Sequence, residues 1–204
     1  VVGMGERITY AEFDARVDRL ATGLQQLGIE RGDHVANWQT NCPDWILTWL
    51  ACVRLGATVV SINTRYKTRE VEFILRQSDA KLLVAMPNYW EIDYLSMISE
   101  IVPGYEGSTP GELQCDTLPA LRGIVLWQDE EAPGTTSLRA LEATEPDRTA
   151  LDAAASELDV EDPVIIIYTS GTTGVPKGAM HCHRVLLEGR DIAKALHMEA
   201  GDNV

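Results

Sequence analysis

Ten consecutive residues, Thr169-Ser170-Gly171-Thr172-Thr173-Gly174-Val175-Pro176-Lys177-Gly178, contain three glycines, four hydroxyls and one lysine. Glycines accept positive φ and let backbone amides approach a ligand closely. Successive amides in such a bend form an anion-binding nest. The hydroxyls add donors, Lys177 adds a compact charge on a flexible stem, and Pro176 restricts the backbone just before it. The chemistry this composition predicts is the gripping of a phosphate chain; a Ser/Thr/Gly linker without a ligand is the alternative.

The charge map favours the first reading. The chain carries 17 basic and 31 acidic residues, a net −14. A polyphosphate is repelled by such a surface unless its site makes a local positive field. Residues 163–187 contain no carboxylate, where the chain average would place about four. Each charge-assisted hydrogen bond contributes roughly 1.5–3 kcal/mol, so a few donors outweigh diffuse, salt-screened repulsion. The loop is not a Walker A motif, which needs Gly-x4-Gly-Lys-Ser/Thr. Pro176 stands five residues after Gly171, and Gly178 follows Lys177.

The loop must be held by the elements on either side. Residues 163–168 are a continuous apolar run that reads as a buried strand. Residues 178–183 carry no helix signal and read as a second strand, giving a strand–loop–strand clamp. A helix over 184–197 follows, with Val185, Leu186, Ile192, Ala193 and Leu196 as its buried face. Upstream, Thr9-Tyr10-Ala11-Glu12 reads as a capping box. Phe13, Val17, Leu20, Leu24 and Leu27 then recur at helical spacing, and Gly28 ends the helix. A strand is predicted over 34–38, a helix over 44–55 stopped by Gly56, and a buried strand over 57–62. Thr68 is expected to cap a helix running to Gln77, and a strand over 81–85 follows. This rhythm predicts an α/β fold, a mostly parallel sheet flanked by helices. Residues 91–102 are expected to be helical, 103–119 a long surface loop, 123–127 a strand, and the acidic 145–162 a solvated connector or exposed helix.

Composition closes off other classes. With 204 residues, 45% apolar and 24% charged, the chain is an ordinary globular protein of one large or two small domains. The acidic surface argues against duplex binding and a polybasic membrane anchor. No apolar run reaches the roughly 18 residues that span a bilayer, and residues 1–7 lack a signal-peptide layout. Cys42, Cys52, Cys115 and Cys182 form no CxxC pair and read as core thiols of a reducing cytosol. His181, Cys182 and His183 have no fourth ligand at zinc spacing, so no metal site is expected. The five tryptophans are expected to pack in the core or at interfaces.

Tyr168-Thr169-Ser170-Gly171-Thr172-Thr173-Gly174-Val175-Pro176-Lys177-Gly178 resembles, without a break, the phosphate-binding signature of the adenylate-forming enzymes. Ile8-Thr9-Tyr10-Ala11-Glu12-Phe13 resembles that family's early TYxEL element, and Leu55-Gly56-Ala57-Thr58-Val59-Val60-Ser61-Ile62-Asn63 its second core motif. His183-Arg184 matches the pair that usually follows the loop. The resemblance implies the large N-terminal domain of a two-step ligase. A carboxylate attacks ATP to give an acyl-adenylate and pyrophosphate, then a thiol, usually coenzyme A, displaces AMP. It implies that Thr169, Ser170, Gly171, Thr172, Thr173 and Gly174 cradle the β- and γ-phosphates. Lys177 would be catalytic through its charge, Mg²⁺ would share that charge, and His183 would line the substrate side.

Residues 61–70 and the stretch 89–127 look most like acyl-CoA ligases of fatty acids. Aryl-CoA ligases, carrier-protein loaders and a non-catalytic interaction module are the rivals. The family's adenine, ribose and hinge motifs and its late catalytic lysine are not in the chain. It therefore reads as an N-terminal portion, clipped at both ends and without the C-terminal lid, expected to be inactive alone. The parent is expected to be cytoplasmic, touching a membrane at most through a lipid substrate, and open to homodimer formation.

Overall fold

The computed structural model describes residues 2–3, 5–129, 132–169, 176–185 and 187–188. Two short strands, β1 (Val2–Gly3) and β2 (Glu6–Arg7), pair antiparallel. Then come α1 (Tyr10–Gln26), β3 (His34–Trp38), α2 (Pro43–Leu55), β4 (Thr58–Ser61), α3 (Thr68–Gln77) and β5 (Leu82–Ala85). A small hairpin of β6 (Asn88–Tyr89) and β7 (Ile92–Asp93) leads into α4 (Tyr94–Ile101). The remainder is β8 (Gly123–Leu126), β9 (Thr136–Ser137), α5 (Leu138–Glu142), α6 (Arg148–Ser156), β10 (Pro163–Thr169) and β11 (Lys177–Cys182).

Seven strands form one sheet in the order β11-β10-β4-β3-β5-β8-β9, parallel throughout except for β11. Side chains alternate along each strand, so the sheet feeds two cores. Val35, Val59, Leu82, Val84, Val125 and Ile165 meet α1, α2 and α5 through Leu20, Leu24, Leu47, Cys52 and Leu141. Ala36, Val60, Leu83, Ile124 and Ile166 meet α3 and α4 through Val71, Ile74, Tyr94 and Ile98. This is the α/β architecture the sequence predicts.

The N-terminus of α1 is capped as expected: Glu12 donates its amide to Thr9 Oγ1 at 3.2 Å, and Thr9 its own to Glu12 Oε2 at 2.9 Å. Other expectations are corrected. Lys67, not Thr68, caps α3: its amide donates to Glu70 Oε2 at 2.8 Å, while the Thr68 hydroxyl is drawn to Glu100 at 3.0 Å. The predicted helix over 91–102 begins only at Tyr94, because Asp93 caps it and residues 88–93 turn back as the hairpin. The predicted surface loop over 103–119 buries Tyr105, Leu113 and Leu118 in the α3/α4 core. The strand β9 and helix α5 have no counterpart in the sequence reading. Trp90 is 83% exposed rather than packed away. Val185, expected on a buried helix face, is also exposed, and residues 186 and 189–197 of that helix lie outside the described residues.

The cysteines are all free, two of them buried. Burial pushes the Cys52 thiol up to about 12. No helix among the described residues is long and apolar enough to cross a membrane.

Candidate functional site

In open parallel sheets, ligands bind outside the carboxyl ends of the strands. Strands β3, β4, β5 and β10 all end at one edge, and a cleft of about 860 Å³ opens there. Gln39, Thr40 and Asn41 line it as β3 ends, and Ser61, Ile62, Asn63, Thr64 and Arg65 as β4 ends. Trp45 of α2, the hairpin residues Tyr89, Trp90, Glu91 and Ile92, and Ile167 and Tyr168 of β10 complete the wall. Arg65 and Glu91 are its charged members among the described residues.

Buried aromatic side chains hold the lining loop in place. Trp38 Nε1 donates to the Asn63 carbonyl at 3.2 Å, and the Tyr94 hydroxyl to the Thr64 carbonyl at 3.0 Å. Trp38 and Tyr94 themselves pack edge to face, 4.4 Å between ring centroids. The Tyr66 hydroxyl donates to the Tyr168 carbonyl at 3.3 Å, tying this loop to the end of β10. Burial, aided for Tyr66 by the Glu70 carboxylate, raises the Tyr66 and Tyr168 hydroxyls above their ordinary range, so both stay protonated donors at neutral pH.

The glycine-rich segment begins beside this cleft. Strands β10 and β11 pair antiparallel, Tyr168 opposite Gly178 and Thr169 opposite Lys177. Thr169 and Lys177 are both exposed and face each other across the mouth of the loop. Gly178 is required there: a Cβ would stand 2.9 Å from Ile166 Cγ2 and 3.1 Å from the Tyr168 ring. Ser170, Gly171, Thr172, Thr173 and Gly174 lie outside the described residues. His183 is placed elsewhere. Cys182 pairs with Pro163 at the opposite end of the hairpin, and the His183 amide donates to the Asp162 carbonyl at 3.1 Å. The structure thus brings Thr169 and Lys177 together near the cleft, with His183 a strand-length away.

The cleft's own polar residues escaped the sequence reading. The signal available was positional: Gln39-Thr40-Asn41 and Asn63-Thr64-Arg65 both follow the last residue of a parallel strand. No group of three His, Cys, Asp or Glu side chains that could hold a metal ion gathers among the described residues.

Known proteins resemble this chain in sequence and in fold. YngI of Bacillus subtilis, assigned as an acyl-CoA synthetase, is 32% identical over 97% of this chain and 37% of its own length. The human mitochondrial medium-chain acyl-CoA ligase ACSF2 is 33% identical over 91% of this chain and 31% of its own. The crystal structure of the anthranilate CoA ligase AuaEII, in complex with anthranoyl-AMP, superposes with a TM-score of 0.73 at 26% identity, covering 89% of this chain and 31% of that one. The chain therefore spans about a third of the length of the curated relatives it matches. The family model described as AMP-binding enzyme matches residues 1–204, and with these relatives it places the chain in the AMP-binding enzyme family.

Proposed function

We propose that this chain is the N-terminal portion of the adenylation domain of an ATP-dependent acid–thiol ligase. A substrate carboxylate oxygen attacks the α-phosphorus of ATP, the bond to the bridging oxygen breaks, and pyrophosphate leaves. The thiol sulfur of coenzyme A then attacks the acyl carbonyl, and AMP departs. The observation that carries this reading is the hairpin that sets Thr169 opposite Lys177 at the carboxyl end of a parallel sheet, beside a cleft.

In this reading Thr169, Ser170, Gly171, Thr172, Thr173 and Gly174 cradle the β- and γ-phosphates. Lys177 offsets the charge that grows toward pyrophosphate, which is electrostatic stabilisation rather than proton transfer. Mg²⁺, when bound, supplies further charge neutralisation. His183, at the far end of the hairpin, takes no part.

A fatty acid is the proposed substrate, supported by residues 61–70 and by the name of ACSF2. The likeness to an anthranilate CoA ligase favours an aryl acid as the second reading. The parent is proposed to work in the cytoplasm. The test uses the full-length parent. Lys177→Ala should slow ATP–pyrophosphate exchange by about 1–3 kcal/mol, the worth of one charge-assisted contact, and slow thiol transfer from preformed acyl-adenylate less. Equal slowing of both steps would sink the phosphate role. AMP release across fatty and aryl acids decides the substrate class.

A further inference from the structure

The pairing of β10 with β4 stops at Ile167, opposite Ser61, the last residue of β4. Its pairing with β11 runs two residues further, through Tyr168 opposite Gly178 and Thr169 opposite Lys177. Past the end of β4, the carbonyl of Tyr168 is taken by the Tyr66 hydroxyl at 3.3 Å. Tyr168 also reaches the other stem of the glycine-and-hydroxyl loop. Its ring lies against Gly178, the residue after Lys177, where a Cβ would stand 3.1 and 3.4 Å from Tyr168 Cζ and Cε2. One residue thus borders both stems, and Tyr66 holds that residue.

Tyr66 sits on a turn that is fixed without its hydroxyl. Asn63 closes the turn twice: its Oδ1 accepts from the Arg65 amide at 2.9 Å, and its carbonyl from the Tyr66 amide at 3.1 Å. Trp38 Nε1 donates to that same carbonyl at 3.2 Å, and the Tyr94 hydroxyl to the Thr64 carbonyl at 3.0 Å. The Tyr66 ring packs against the α3/α4 core. The hydroxyl is therefore delivered to a set place, and what it steadies is the strand it touches rather than its own loop. A strand end bonded on one flank only opens at little cost. A binding loop needs its groups held within about 0.5 Å of their productive places, so a tie at this end matters more to a ligand than to the fold.

We propose that Tyr66 is a positioning residue: through the Tyr168 carbonyl its hydroxyl holds the end of β10 in place, and so sets where Thr169 and Lys177 meet the phosphate chain of ATP. This rests on the ligase reading given above. The tie needs a protonated Tyr66, and burial, with the Glu70 carboxylate, raises that hydroxyl above its ordinary range.

The test is Tyr66→Phe in the full-length parent, assayed with the acid that releases AMP fastest. The variant keeps the ring and removes only the hydroxyl. KM for ATP in ATP–pyrophosphate exchange should rise about threefold to tenfold, the worth of one neutral hydrogen bond. At 3.3 Å the bond is at the long end of its kind, so a larger effect is not expected. KM for the acid, and the rate of thiol transfer from preformed acyl-adenylate, should stay within about twofold of the parent. A merely structural role would move all three together. An unchanged KM for ATP, or equal changes in all three, overturns the proposal. Lys177→Ala, run beside it, separates this proposal from the ligase reading. If Lys177→Ala slows exchange while Tyr66→Phe leaves KM for ATP alone, the positioning role fails and the ligase reading stands. If the parent shows no exchange with any acid, the ligase reading falls and the positioning role falls with it.

Discussion

Asp44→Asn offers a test of how the wall of the cleft is held. Asp44 sits in the first turn of α2, one residue before Trp45, and its side chain is 6% exposed. It accepts from Arg16 Nη2 at 3.0 Å and from Arg139 at 2.9 and 3.3 Å. The same two guanidiniums share the Glu142 carboxylate, which is 11% exposed. Two buried carboxylates thus face two guanidiniums where α1, α2 and α5 meet, with the exposed Asp129 carboxylate 3.9 Å from Arg139. Asparagine keeps the shape and its oxygen can still accept the two bonds now made to Asp44 Oδ1, but as an uncharged acceptor, while its Nδ2 is a donor and cannot accept the third from Arg139 Nη2. Losing one charge-assisted bond and weakening two together costs about 2–3 kcal/mol. Loss of the acid at the helix N-terminus adds about 0.3–1 kcal/mol. Arg139 is 31% exposed and Glu142 still serves both guanidiniums, so solvent screening and the remaining partner trim the sum. The expected loss is about 2–3 kcal/mol, or roughly 5–10 °C in melting temperature for a chain this size. Urea unfolding followed by circular dichroism measures it. Arg76→Gln serves as the control: its pair with Glu72 is solvent-exposed and should be worth less than about 0.5 kcal/mol. If Asp44→Asn costs no more than this control, the cluster is not what fastens α2, and the reasoning fails.

Acid should loosen the same junction. Burial alone would raise the Glu142 carboxyl, but Arg16 and Arg139 together hold it below the ordinary carboxylate range. Its folded value is therefore the depressed one, so its contribution is complete above the unfolded value and is lost as pH falls through the folded value. Urea midpoints should drop in that acid window, and less so in Glu142→Gln, whose stability should start lower; an unchanged slope in the variant would count against the assignment. Gly134→Ala should cost roughly 2–4 kcal/mol from strain and overpacking. Gly134 has φ +71, and a Cβ there would stand 1.9 Å from the Tyr105 carbonyl oxygen and 2.7 Å from Glu106 Cα. A melting temperature within 1–2 °C of the parent chain, well under the roughly 2–4 °C expected per kcal/mol at this size, would show that the turn can move aside.

How far the sequence could be read depends on the range over which each signal acts. The α1 capping box, the glycines that end helices, the strands around Val35 and Val59, and the glycine-and-hydroxyl run are all local devices. Each works through residues a few positions apart, so neighbours in sequence reveal it. A bend that grips phosphate must present successive amides, which forces its glycines and hydroxyls to be contiguous. Where the reading failed, the deciding partner was distant. Thr68 has the right hydroxyl for a cap, but Glu100, 32 residues away, takes it. Strand β9 is two residues long and has no period to detect; it exists because it can pair with Val125 and Leu126. Tyr105, Leu113 and Leu118 follow no helical or strand spacing, so nothing local marks them as core.

The cleft shows the same division within one site. Asn63 and Thr64 look like ordinary turn residues, and nothing local marks them as wall. Their carbonyls are what is held, because Trp38 and Tyr94 reach up through the α3/α4 core and donate to them. Tyr66 then carries that fixed loop to the Tyr168 carbonyl, one residue before the hydroxyl run begins. The start of the loop and the wall of the cleft are thus set by one relay of aromatic donors, two buried and Tyr66 half-buried, whose members lie 25 to 102 residues from the carbonyls they hold. The glycine-and-hydroxyl run could be read from ten adjacent residues. The placement of its first residue, Thr169, beside the cleft could not, since that placement is a property of the packed core.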